Sequence, residues 1–482
     1  MKTVDAYQFR IDDSPDPPSG IEKAMVATVF FFASGLIDTS IAPNLGVLRV
    51  NDPFMIIAAG LGVSLQFTKF RNSFKTLNSR SLVLLGLLYG IVLISLFWTI
   101  APTSGIARFA GFSLTTLWTL YAATRFSIRD LLEILIVTLL AVALVSTVLA
   151  VIAPSVGTMQ VDAHKGDWKG IYPHKNIFGR NMALLVTVSL FCIFYCGPRR
   201  LGTVGFVFGL FVLVMSGSRT SLAVAAIGIV SILLLYFRRR PYLIAAITIS
   251  VLIASLLAAL QTIIEGNPLL ELQGENLSIF QTQYHFTGRF GLWQFSLEHI
   301  LKKPWFGYGY DGFWKIKSLG GQTLDEDGWQ AQDSHNGFID VLLQVGVVGM
   351  VIFLVIYAFF MFRAVRLLRQ PRVAYADLFA GLHIFIFFFA NLTESYALKA
   401  TSIYQMLFTL SLVILCKKKA PRTDRLLRQE DMEPSAPDEP HQKSTFRSRT
   451  PVPMESGTPT VSPPSGGDNI RRSRNPFLRP TG

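Results

Sequence analysis

Charge is scarce in this chain. Of its 482 residues only 16% are Asp, Glu, Lys or Arg, against roughly 25% in soluble globular domains. Hydrophobic residues make up 51% and the mean hydropathy is +0.43. A soluble enzyme and a disordered protein are both excluded. Cysteine is scarcer still. Cys192, Cys196 and Cys416 lie in or at the end of apolar runs and form neither a zinc pattern nor a disulfide framework. No HExxH or Walker-type loop is present. The acidic run Asp325, Glu326, Asp327 offers too few converging oxygens for a cation site. The expectation is therefore no metal and no cofactor. Residues Met1 to Lys23 are acidic and proline-rich, unlike the basic start of a signal peptide, so the first helix is expected to stay uncleaved.

What the chain has in quantity is long apolar runs. A helix crossing a bilayer needs about 20 largely apolar residues. Twelve such segments are read at 24–43, 52–67, 81–100, 104–123, 131–153, 178–196, 201–216, 219–236, 241–262, 337–362, 376–395 and 397–416. The second, seventh and eighth are short or tightly connected, so the number lies between 11 and 13. The fold expected is an all-α polytopic membrane protein with a large outer helical loop and a disordered tail. Its parts are an N-terminus at 1–23, nine spans in 24–262, the loop at 263–336, three spans in 337–416 and the tail at 417–482.

Formal net charge is +13. In a soluble protein that excess would suggest nucleic acid. Here it has a simpler reading, because cytoplasmic loops of membrane proteins collect Lys and Arg. Clusters at Lys69–Arg80, Arg125 and Arg129, Arg199 and Arg200, Arg238–Arg240, Arg363–Arg372 and Lys417–Lys419 fall at every second loop. Both termini are then cytoplasmic, and segments 154–177 and 263–336 lie outside. The tail holds 11 of the 24 prolines and no apolar periodicity, which reads as disorder. The outer segment 263–336 carries Trp293, Trp305, Trp314 and Trp329. Within it, Arg289 to Pro304 has helical spacing, with Phe290, Trp293 and Leu297 on one face and Pro304 as its end.

Four constellations carry chemistry. The first is "YPHKNIFGR", Tyr172 to Arg180, where His174, Lys175 and Arg180 crowd a membrane boundary. Such a cluster suits an anion, or else anchors the chain by snorkelling. The second is "SGSRTS", Ser216 to Ser221, a turn between two apolar runs. Arg219 there offers a planar fork matched to phosphate oxygens; the alternative is a cap built on Ser218 with Arg219 merely exposed. The third is Arg289 in "TGRFGLW", one of five basic residues in a segment with nine acidic ones. It serves either an anion or a surface salt bridge, which stabilises little. The fourth is "DSHNGFID", Asp333 to Asp340, where His335 and Asn336 sit at the mouth of a span. Histidine exchanges a proton near neutral pH, and Asp333 is placed to orient it. An interfacial, hydrogen-bonded histidine is the alternative. On the eleventh span lie His383, Asn391 and Glu394. His383 reads as an interhelical hydrogen-bonding residue, and Glu394 sits near the outer end.

Taken in order, "SGSRTSL", "GRFGLWQFSLEHILKKPWFGYGYDGF" and "SHNGFIDVLLQVGVVG" resemble the O-antigen ligase and Wzy-type polymerase superfamily over roughly 170–350. "GIYPHKNIFGRNMAL" and "NLTES" are similar to its exopolysaccharide-polymerase branch, the ExoQ type. Gln344 departs from the pattern, since many members carry an acidic residue there. The resemblance implies an enzyme of the bacterial inner membrane. It implies a glycan donor on undecaprenyl pyrophosphate, presented at the periplasmic face and transferred to an acceptor hydroxyl without a metal. In that reading Arg219 and Arg289 stabilise the pyrophosphate leaving group and His335 is the general base. His174, Lys175, Asn176, Arg180, Trp293, Asn336 and Glu394 bind substrate. Membrane lipid and export or chain-length-regulating proteins are the implied partners. The product is a longer exopolysaccharide if the acceptor is another repeat unit. A ligase would instead use lipid A core or another acceptor. A transporter remains as a third reading; it calls for charges near the midplane and broken-helix repeats, whereas the charges here lie at the outer ends.

Overall fold

In the computed structural model the apolar runs are helices, and among the described residues no strand is present. The structure describes residues 18–35, 78–160, 164–237, 288–315, 332–370, 373–400 and 402–417. All belong to one compact unit, Met1–Lys419. The expected spans 52–67 and 241–262, the acidic run Asp325–Asp327 and nearly all of the tail lie outside the described residues.

Eleven helices of eight residues or more are described: α1 Gly20–Ala33, α2 Ser79–Ser95, α3 Pro102–Arg125, α4 Ile128–Ile152, α5 Lys175–Phe191, α6 Arg199–Met215, α7 Arg219–Tyr236, α8 Gly288–Lys302, α9 Gly337–Leu368, α10 Tyr375–Thr393 and α11 Ile403–Cys416. Their starts follow local chemistry. Ser19 and Glu22 make a reciprocal capping box on α1. Pro102 opens α3, where its missing N–H costs nothing. Ser127 caps α4 through the amide of Asp130.

Among the described residues, five helices are long and apolar enough to cross a membrane: Ile128–Ile152, Lys175–Cys196, Arg219–Tyr236, Gly337–Leu368 and Tyr375–Thr393. The chain is a multi-pass membrane protein. Its packing fits a bilayer solvent. Every residue of α11 is buried, as expected of a helix apolar all round at the centre of a bundle. By contrast, α4, α6 and α9 expose valines and leucines such as Val137, Leu144, Val204, Val207, Val351 and Leu354. Helices in lipid associate through close approach, which small residues permit. A Cβ at Gly209 of α6 would stand 3.0 Å from the Leu185 side chain of α5, so the α6 backbone rests directly on that side chain.

Two ends of the bundle are distinct. At one end Arg125 of α3 grips Glu22 of α1 through Nε and Nη2 (2.7 and 2.8 Å). Lys417, just past α11, donates to the Ala123 carbonyl there (2.7 Å). At the other end lie the starts of α5, α7 and α9. The Asn176 Oδ1 accepts from Ser218 Oγ (3.0 Å), joining the first turn of α5 to the start of α7.

Helix α9 is broken. Gly346 sits at φ 65°, ψ −168°, a conformation open essentially to glycine alone. The break frees backbone groups that must find partners, and the stretch after α8 supplies them. Tyr308 and Gly309 donate to the carbonyls of Leu343 and Gln344 (2.8 and 2.9 Å). Val347 and Val348 donate to the carbonyls of Pro304 and Trp305 (2.8 and 3.2 Å). Helix α8 ends just before Pro304 as its sequence predicts, and the face shared by Trp293 and Leu297 is only partly covered. Ser296, His299 and Ile300 are buried while Leu297 is 49% exposed. The reason is the returning loop: His299 donates back to the Phe295 carbonyl (2.8 Å) and packs edge-on against Phe313.

Candidate functional site

The segment Asp333–Asn336 is folded into a tight knot by its own polar groups. Asn336 caps α9, its Oδ1 accepting from the amides of Phe338 and Ile339 (3.0 and 3.3 Å). Ser334 donates its amide to Asp340 and its carbonyl accepts from Trp293 Nε1 of α8 (2.9 Å). His335 between them is forced to φ 52°, a strained backbone for a side chain of this size. Such strain concentrates where a side chain must be aimed.

His335 is aimed between two carboxylates. Its Nδ1 lies 3.1 Å from Glu394 Oε2 and 3.8 Å from Asp333 Oδ1. Glu394 closes α10, its amide bonded to Ala390. The loop after it is held by Asn391, whose Oδ1 accepts from Tyr396 and Ala397 (3.1 and 2.8 Å). A carboxylate only accepts, so Nδ1 carries the proton and Nε2 presents a lone pair. Asp333 also accepts the His335 amide (3.1 Å) and an ion pair from Lys399 Nζ (2.7 Å). Burial pushes the Asp333 carboxyl up, but Lys399 and His335 outweigh it and hold it well below the usual carboxylate range.

Beside Glu394 lies a narrow, closely packed cleft lined by Arg180, Ala183, Thr220, Ser221, Val224, Thr393, Glu394, Tyr396 and Tyr404. The Arg180 guanidinium stands 5.6 Å over the Tyr396 ring, a cation–π contact. Tyr396 stacks on Tyr404 at 4.3 Å, and the Tyr404 hydroxyl donates to the Arg180 carbonyl (2.9 Å). Arg219 is the first residue of α7 and is exposed, immediately before Thr220 and Ser221 of the cleft wall. Ser218 stands at the cap position of α7 without capping it; its hydroxyl bonds Asn176 and Ser221 instead.

The remaining sequence candidates are placed as follows. His174 is the cap of α5, its Nδ1 accepting from the Asn176 amide (3.1 Å). Burial pushes its pKa down to about 4, against the pull of Glu394 and with the push of His335 and Lys175. Lys175 is buried and turned to Asp167 (2.5 Å) and His164 (3.0 Å). Arg289 lies in the first turn of α8, one turn ahead of Trp293; its side chain lies outside the described residues. His383 faces the Tyr404 carbonyl of α11 across 3.4 Å, the interhelical bond its position suggests. Lys399, Tyr396 and Tyr404 were not legible as site residues: no spacing rule links a loop lysine to Asp333, 66 residues earlier.

The arrangement can accept a proton at His335 Nε2 and hold an anion. The N-terminal ends of α5, α7 and α9 face the same end of the bundle, and helix N-termini favour negative charge. Residues 204–354 match the family model Wzy_C, O-antigen ligase. Over this stretch the chain is similar to the O-antigen ligase family. The matched O-antigen ligase region contains Arg219, Arg289 and His335, while His174, Arg180 and Glu394 lie on either side of it. A candidate polysaccharide ligase of Rickettsia conorii is 26% identical over 178 residues, covering 36% of this chain and 42% of the relative. The chain thus spans less than half the length of the curated relative it matches.

Proposed function

We propose that this chain is a glycosyltransferase of the bacterial inner membrane that joins undecaprenyl-pyrophosphate-linked repeat units at the periplasmic face into a longer exopolysaccharide. The observation that carries the chemistry is the His335–Glu394 pair (3.1 Å) beside a cleft bearing Arg180. His335 Nε2 takes the proton of the acceptor hydroxyl. The oxygen attacks the anomeric carbon, and the bond from that carbon to the pyrophosphate breaks. The lipid pyrophosphate leaves with the electron pair, and Arg219, Arg289 and Arg180 balance its charge. Glu394 holds the tautomer and stabilises the imidazolium that forms. Tyr396 and Tyr404, buried and stacked on each other, hold Arg180 in place from beneath. His174 and Asn176 hold the cleft wall by capping α5 and tying it to α7.

The topology behind this reading has twelve spans, with residues 263–336 as an outer lid and both termini cytoplasmic. It is supported by the ion-paired end at Arg125 and Lys417 lying opposite the His335 end. Reporter fusions at residues 363–370 should read cytoplasmic and at residue 300 periplasmic; a cytoplasmic signal at 300 overturns the donor-side argument.

Transfer to lipid A core or another acceptor is the second reading, favoured by the names of the matched family and relative, both ligases. The glycan profile of a deletion strain separates the two. Loss of long polymer with single repeats retained supports polymerase. Accumulated long lipid-linked polymer supports ligase. A normal profile sinks both. Export or chain-length-regulating proteins would then act on the product.

A further inference from the structure

Helix α9 has 32 residues, about 48 Å at 1.5 Å per residue, whereas the hydrocarbon core is about 30 Å thick. The break at Gly346 resolves the excess. Beyond it, Val347–Leu368 measures about 33 Å and ends among Arg363 and Arg366, a full crossing. The boundary of the bilayer on the His335 side therefore falls at Gly346. The strand of chain bonded to that break, Pro304–Phe306, lies at the same level.

Large apolar side chains gather there without cover. Trp305 is 65% exposed, Phe306 54% and Phe97, just past α2, 89%. Trp98 joins them, its Nε1 donating to the Phe306 carbonyl (2.9 Å) and its ring edge-on to Phe306. On α8, Leu297 and Leu301 (78% exposed) continue the patch one turn apart. They form a strip between the buried side, Ser296–Ile300, and a polar strip of Gln294, Glu298 and Lys302. The patch runs on into the exposed side of α9 at Val347 and Val351. Lys302 and Lys303 stand exposed at its rim. Aromatic residues collect at membrane interfaces, and lysines reach from there to lipid phosphates.

We propose that α8 is an interfacial helix, seated by Leu297, Leu301, Trp305, Phe306 and Phe97 in the headgroup–acyl boundary of the leaflet on the His335 side. The occupant of the patch is lipid. Continuity with the lipid-facing side of a membrane-spanning helix commits it to that partner rather than to another protein. The inference rests on α9 crossing the bilayer and is independent of the sugar-transfer reaction, so failure of that reaction leaves it standing.

The test places nitroxides by Leu301→Cys, Glu298→Cys and Val351→Cys in the full chain, with Cys192, Cys196 and Cys416 changed to alanine. The protein is held in phosphatidylethanolamine/phosphatidylglycerol nanodiscs. At 301 and 351 the label should collide with oxygen several-fold more than with a water-soluble nickel chelate, and at 298 the order should reverse. Nickel access at 301 overturns the proposal. Shielding at 301 from both probes also overturns it, since protein then covers the patch. Should the cysteine-free background fail to fold, the native chain carries the test. The emission lost in Trp305→Phe should be quenched by lipids brominated near the headgroup. Quenching by aqueous iodide instead overturns the proposal.

Discussion

His335 Nδ1 and Glu394 Oε2 lie 3.1 Å apart although 59 residues separate them in the chain. One stands at the start of α9 and the other at the end of α10, so an antiparallel helix pair brings base and carboxylate to one boundary. His335→Ala should lower turnover by about 10²–10⁴, with protein level and lipid-donor binding retained. Glu394→Gln keeps the shape but loses the charge that holds the imidazolium, and should cost turnover more than KM. The measurement is in vitro polymerisation with purified protein and lipid-linked repeats. Full activity in His335→Ala removes the base assignment.

Lys399 balances one of the two carboxylates around His335. Lys399→Met leaves Asp333 and Glu394 both facing the imidazole, with His174 neutral above about pH 4. The imidazole then holds its proton to higher pH. The acid limb of kcat/KM should therefore move upward, by about one pH unit for a nearby charge of this kind. Activity should recover at alkaline pH, and Lys399→Arg should keep the limb in place. An unmoved limb in Lys399→Met refutes the charge balance.

Arg219 presents its guanidinium in the open at the start of α7. Arg219→Lys keeps charge but loses the planar fork. If it meets pyrophosphate in the transition state, turnover should fall by about 10²-fold or more while expression stays normal. Since arginines carry the leaving-group charge in this account, chelator should leave activity intact. Activity restored by added divalent metal would remove the arginine-only account.

His174 caps α5 only while Nδ1 is unprotonated. Its pKa is depressed from 6.5 to about 4 by burial, so the unfolded chain binds the proton first. Stability contributed by this group is whole above about pH 6.5 and is lost as pH falls towards 4. His174→Asn preserves a capping oxygen without a titrating group. It should flatten the fall of thermal midpoint between these pH values; an unchanged slope argues against the cap.

Gly346 tolerates no Cβ: one would meet the Trp305 carbonyl at 2.3 Å. Gly346→Ala should destabilise by about 1–3 kcal/mol, seen as a lower thermal midpoint in detergent. Gly90→Ala on α2, where no atom lies within 4 Å, serves as the neutral control.

Apolar run lengths and the alternation of arginine clusters determined the class of this protein, because a bilayer demands about 20 apolar residues per crossing and charges pile up on one side. The same is true of helix bounds such as Arg219–Tyr236 and of the stop at Pro304, which depend on neighbours in the chain. His335, Arg180 and Glu394 were legible as chemistry because a polar group at a membrane boundary is costly without a task. Only the tertiary structure decided that Glu394 faces His335, that Lys399 neutralises Asp333, and that Asn336 and Ser218 act within the scaffold. It also decided which side of α8 is buried, since the loop returning through Phe313 rather than helical spacing covers His299 and Ile300. These facts depend on which helices lie side by side, and helix order in a bundle is set by packing between distant segments, which no local periodicity records.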